Sequence, residues 1–148
     1  MTKANKSLKK SLKQLEKEFP NEVLPKEKLP LLPREMAYAK IPLEKFSVEH
    51  LCFMIMHGLG WNFLIPMAIE ILIKNPFAEG EDIGYSLLGS VLSVKGSFWK
   101  ENPDLYERVE KILQTAESVK TEEAETILTV SLPQSIYDFR KNQMSGNV

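Results

Sequence analysis

The chain has 148 residues, 43% hydrophobic and 26% charged, which suits one globular core and excludes collagen-like, disordered and most multi-domain readings. Its 19 Lys and Arg against 20 Asp and Glu leave a net charge of −1, so the total points to neither a basic nucleic-acid protein nor an acidic tail. The distribution is uneven: residues 1–45 hold eleven basic and six acidic side chains (+5), residues 46–148 eight basic and fourteen acidic (−6).

From the N-terminus, Leu8, Leu12, Leu15 and Phe19 recur at helical spacing among Lys3, Lys6, Lys9, Lys10, Lys13 and Lys17, which predicts a lysine-coated amphipathic helix over residues 1–19. Pro20, Pro25, Pro30 and Pro33 remove donors and force extended backbone, so residues 20–45 read as a connector lying on the body. The body, residues 46–142, opens at Ser47, a cap with Glu49 in the first turn and Phe46 placed to staple onto Leu51; its first helix should stop near Gly58. The next helix starts about Asn62, with Pro66 early enough to lose only an orphan N–H, and ends at Lys74-Asn75-Pro76. Leu64, Ile65, Met67, Ala68, Ile69, Ile71, Leu72 and Ile73 make it apolar nearly all round, the pattern of a central helix.

Asp82 is placed to cap a third body helix through about Val94, ended by Gly96, with Gly84 and Gly89 allowing close approach of a neighbour. Asn102-Pro103-Asp104 combines a cap, proline at the first helical position and an early acid, ahead of the stripe Leu105, Val109, Ile112, Leu113, Ala116. Thr121 followed by Glu122, Glu123 and Glu125 reads as a further helix start, and Pro133 as a restart into a short last helix through Ile136 and Phe139. No stretch alternates long enough for a strand. The expectation is an all-α, single-domain helical bundle with a Lys-rich N-terminal helix and a Pro-rich connector.

Catalytic constellations fail in turn. His50 and His57 lie seven residues apart, about 10 Å along a helix, and Cys52 is on another side, so neither a metal site nor a Cys–His pair is formed. Gly84-Tyr85-Ser86 lacks the second glycine of a nucleophile elbow, and Gly58-Leu59-Gly60 has neither the third glycine nor the lysine of a phosphate loop. No catalytic residue, metal or cofactor is expected. With one cysteine and no apolar leader after Met1-Thr2-Lys3, a reducing, cytoplasmic setting is expected. Polar interruptions at His57, Gly60, Asn62, Pro66 and Glu70 keep Leu51–Ile73 from reading as a membrane span. Two acidic clusters remain, Glu79, Glu81 and Asp82, then Glu117, Glu122, Glu123 and Glu125. They lack the spacing of an EF-hand, and they could dock on a basic partner.

The run Ile41-Pro42-Leu43-Glu44-Lys45-Phe46-Ser47-Val48-Glu49-His50-Leu51, then Gly58-Leu59-Gly60, Leu64-Ile65-Pro66-Met67-Ala68, Asn75-Pro76, Glu79-Gly80, Leu87-Leu88, Val91-Leu92 and Phe98-Trp99, resembles bacterial contact-dependent growth inhibition immunity proteins. The likeness spans roughly residues 40–100; Tyr85-Ser86 and His57 depart from its pattern. The resemblance implies a small cytosolic protein, not an enzyme, that binds the C-terminal toxin domain of a cognate effector, often a nuclease. Its apolar and glycine positions then serve as scaffold. The expected contacts are Glu79, Glu81, Asp82, Tyr85, Glu122, Glu123 and Glu125, in a 1:1 complex that touches no nucleic acid or membrane directly. The alternative is a nucleic-acid- or anionic-membrane-binding accessory protein acting through the lysine helix.

Overall fold

A computed structural model describes residues 8–80 and 86–146. Among these residues nine α-helices and no strands are found, joined by short 3₁₀ turns and two isolated bridges. The helices are α1 (Leu12–Glu18), α2 (Pro33–Ala39), α3 (Val48–Met56), α4 (Trp61–Lys74), α5 (Leu87–Leu92), α6 (Gly96–Glu101), α7 (Pro103–Ser118), α8 (Glu122–Thr126) and α9 (Pro133–Gly146).

The first helix is shorter than its leucine stripe predicts. Ser11 and Gln14 form a reciprocal capping box that opens α1 at Leu12, while the Lys10 and Leu8 carbonyls accept from the Leu43 and Glu44 N–H groups instead of continuing a helix. Lys3 and Lys6 lie outside the described residues. Leu12 and Leu15 are fully buried in the same core as α3, α4 and α7, so the lysine-rich leader is built into the bundle. The Glu16 carboxylate accepts from the Asn21 and Leu24 N–H groups, and the Gly60 N–H donates to the Val23 carbonyl, which pins the chain leaving α1 to the start of α4.

The expected connector contains a helix. Pro33 sits at the first position of α2, where its fixed φ and missing N–H carry no penalty, and Glu35 reaches back to accept from the Leu32 N–H at 2.8 Å. Proline therefore starts a helix here.

Ser47 caps α3 as expected, with His50 as its reciprocal partner: the Ser47 N–H donates to His50 Nδ1 at 3.1 Å. The helix ends in a Schellman motif, the Gly58 N–H bonding the Ile55 carbonyl and the Leu59 N–H that of Met54, with Gly58 at φ +77°. Gly60, at φ +68°, brings the chain so close to α1 that a Cβ there would lie 2.9 Å from both Leu12 methyls. Helix α4 starts at Trp61, so Pro66 lies inside it and leaves the Asn62 carbonyl without its ladder partner, a correction to the expectation of an orphan position. With Phe63, Leu64, Ile65, Ala68, Ile69 and Leu72 buried, α4 packs on α3, α5 and α7.

Helix α5 is also shorter than predicted. Ser86, not Asp82, is its cap, its hydroxyl accepting from the Gly89 N–H at 3.1 Å; Asp82 and Gly84 lie outside the described residues. Gly89 faces Leu132, which a Cβ would approach to 3.2 Å. Asn102 has a different task from the predicted one: its amide donates to the Phe98 carbonyl and closes α6, leaving Pro103 alone to start α7. Thr121 caps α8 through the Ala124 N–H as expected. From Ile127 the chain widens into a π-helical segment, Ile127–Ser131, closed by the Leu132 N–H on the Ile127 carbonyl, before Pro133 restarts α9. Helix α9 docks on α5 and α6, and its Phe139 ring stacks on Tyr106 of α7 at 4.3 Å, the Tyr106 hydroxyl donating to the Phe139 carbonyl.

Candidate functional site

The histidines have structural partners. His50 completes the α3 cap and contacts Tyr38 and Phe46 edge-on; burial pushes its pKa down. His57 stacks on Phe53 at 3.9 Å and places Nδ1 2.8 Å from Glu35 Oε2. Burial works against the charge of Glu35, yet the Leu32 N–H and the His57 ring hold its carboxyl below the usual carboxylate range. This pair ties α2 to the end of α3. Cys52 is buried between α3 and α5, and desolvation pushes its thiol up, away from the reactive thiolate. Among the described residues no group of three or more His, Cys, Asp or Glu side chains could hold a metal ion. No helix there is long and apolar enough to cross a membrane.

A concavity lies at the C-terminal end of the bundle. It is a cleft of about 630 Å³ between the end of α7, the turn 119–121, α8, the π-helical segment and the start of α9. Its lining divides by chemistry: Val119, Leu128, Pro133 and Ile136 are apolar, whereas Glu117, Glu122 and Glu125 bring carboxylates against a single cation, Lys120. The local sequence explains the geometry. Thr121 stops the α7 direction and starts α8 with its glutamates in the first turn, where the helix dipole favours them. The π turn then changes the phase of the helix, and Leu128 and Thr129 join the lining.

One wall is held by Arg140 of α9. Its guanidinium grips Glu110 through Nε (3.2 Å to both oxygens) and Nη2 (2.9 Å), and Glu117 through Nη1 (3.2 Å) and Nη2 (2.8 Å). The Arg140 hydrogen bonds hold the Glu117 carboxyl below the usual range, and the two glutamates raise the guanidinium further above its already high value. Glu117 is thus engaged within the fold, while Glu122 and Glu125 form no ion pair among the described residues and are exposed.

Of the predicted contacts, Glu122 and Glu125 share this cleft. Glu123 is exposed on α8 but does not line it, and Glu79 is exposed in the α4–α5 connector, bridged to Ser86. Glu81, Asp82 and Tyr85 lie outside the described residues. The apolar floor was not foreseen, because Leu128 and Ile136 meet only through the π turn and Pro133. The pair Glu110 and Arg140, thirty residues apart, carries no local signal.

The sequence profile of the CDI immunity proteins matches residues 19–109. The match covers the segment that carries the resemblance and extends upstream through the prolines. No curated protein and no solved structure matches the chain.

Proposed function

Because the chain belongs to the CDI immunity proteins, we propose that it binds the C-terminal toxin domain of a cognate contact-dependent growth inhibition effector and neutralises it by covering a basic, nuclease-type active site. Family membership is the observation that carries this reading. The charge distribution supports it: the −6 of residues 46–148 suits a protein that competes with nucleic acid for a cationic groove, where complementary potentials speed encounter and select the partner. The proposed contacts are Glu122 and Glu125 of the C-terminal cleft, the exposed Glu123 of α8 and Glu79 of the connector, together with Glu81, Asp82 and Tyr85. The protein works in the cytoplasm of the cell it protects, as a binder without chemistry of its own, in a 1:1 complex of standard interface size, about 1,600 Å².

Affinity capture of the tagged full chain from its host's lysate, with mass spectrometry of what copurifies, tests the reading. The C-terminal fragment of a large effector, together with rescue of growth when the two are co-expressed, is the expected result. Enrichment of RNA or lipid with no such fragment overturns it.

A further inference from the structure

The C-terminal cleft has a property that a uniformly acidic surface lacks: a non-polar floor of Val119, Leu128, Pro133 and Ile136 beside a rim whose charges outside ion pairs among the described residues are two carboxylates, Glu122 and Glu125, and one ammonium, Lys120. Its volume, about 630 Å³, falls within the range of ligand pockets, about 300–1,000 Å³. A phosphate or an acidic peptide would meet two carboxylates, Glu122 and Glu125, against the one ammonium of Lys120, so the net negative rim disfavours nucleic acid. A wholly polar cation would leave Leu128 and Ile136 uncovered. The occupant that satisfies both is an apolar side chain carried between Arg or Lys residues.

The cleft also lies entirely beyond residue 109, where the match to the family ends. The segment that carries α2 to α6 lies within the match to the family's sequence profile, while the cleft is built from residues 117–136. Resting on the immunity reading above, we propose that this cleft receives a cationic segment of the cognate toxin with an apolar residue at its tip, and that it decides which toxin the protein accepts. Leu128 and Ile136 receive the tip, Glu122 and Glu125 pair with the flanking cations, and the Arg140 clamp holds the Glu117 wall in place. Discrimination follows from both parts, since an acidic segment is repelled at the rim and a segment without the apolar tip leaves the floor unfilled.

Two arms test this on the full-length chain. In the first, the probe is a short Ala/Gln helical peptide with one central Leu and an Arg one turn to either side, followed by amide chemical shifts. Expected are shifts at Thr129 and Ile136, loss of binding when the Arg residues are replaced by Glu or the Leu by Ser, and about fivefold weaker binding to Glu122→Gln with Glu125→Gln, the scale of two exposed charge pairs. Shifts confined to another face, or equal binding of the acidic control, overturn the cleft assignment. In the second arm the captured toxin fragment is titrated against wild type, the double Gln variant and Thr129→Trp, which fills the cleft from an exposed position and leaves the core intact. Loss of at least tenfold in affinity with Thr129→Trp, at unchanged helical circular dichroism, is expected. Equal affinity of wild type and Thr129→Trp removes the cleft from the interface and leaves the immunity reading standing. A wild-type protein that binds no toxin fragment overturns the immunity reading, and the peptide arm still decides what the cleft accepts.

Discussion

The Arg140 clamp makes a quantitative claim about how the cleft is held. Replacing Arg140 by Gln removes the five hydrogen bonds to Glu110 and Glu117 while leaving a shorter, neutral polar side chain. The side chains are 37% exposed for Arg140, 22% for Glu110 and 43% for Glu117, so solvent screening discounts the pairs to the surface scale of about 0.2–1 kcal/mol each. The bidentate geometry and lower exposure of Glu110 place its pair at the top of that range, about 1 kcal/mol, and that with Glu117 near ~0.5 kcal/mol. The expected loss is therefore about 1.5 kcal/mol, a fall in Tm of roughly 3–6 °C for a chain of this size. Urea unfolding of Arg140→Gln, Glu110→Gln and the double variant closes a double-mutant cycle. A coupling energy under ~0.3 kcal/mol would show that the contact is incidental and that the clamp does not hold α9 to α7. The pH dependence has a fixed sign. Because the folded Glu117 titrates below its unfolded value, its contribution is present above the unfolded carboxylate pKa and is lost as the pH falls through the folded one.

Glu35→Ala strands the Leu32 N–H and the His57 ring and should cost about 1–3 kcal/mol in urea unfolding. Since the Glu35 carboxyl is held low, the wild-type advantage should persist above the unfolded carboxylate pKa and shrink as the pH drops through the folded value; an advantage that grows on acidification would contradict the pair. Gly60→Ala combines a left-handed φ with a Cβ 2.9 Å from the Leu12 methyls, and about 2 kcal/mol of destabilisation is expected, with α1 amides losing hydrogen-exchange protection first. Lys9→Gln with Lys13→Gln and Lys17→Gln, all exposed, should leave stability within about 0.5 kcal/mol and toxin binding unchanged. A large loss of affinity there would move the interface to the basic front.

That last set replaces a cruder experiment. A chain divided into lysine helix, proline connector and body invites deletion of residues 1–19, but Leu12 and Leu15 are fully buried, so the deletion would open the core and confound binding with unfolding. The period-3.6 leucine pattern predicted that one face of the leader is buried. It could not place the capping box at Ser11 that starts the helix late, nor the backbone bonds from Leu43 and Glu44 that turn Leu8 and Lys10 into an extended pairing. Ser47, Thr121 and Pro133 were legible because their signals are local, a hydroxyl or a ring acting within one turn. Asn102 and Ser86 were not: Asn102 stands between two helices and closes the one before it, and Ser86, four residues past Asp82, caps the helix after it.

The same division explains the candidate site. Sequence reading found the carboxylates of the second acidic cluster, since charge is visible residue by residue. A cleft, however, requires a floor, and Val119, Leu128 and Ile136 come together only because Thr121, a π turn and Pro133 redirect the chain three times within fifteen residues. A π segment costs hydrogen-bond geometry and persists where packing or function holds it. Here the segment carries Leu128 and Thr129 into the lining beside Glu125, and a regular α-helix through Ser131 would change their angular position relative to it. Deleting one residue from Ile127–Ser131, which restores regular α phase, should therefore leave the α3–α5 core folded and abolish the cleft. Retained toxin affinity in such a phase variant would place recognition on the charged connector at Glu79 instead.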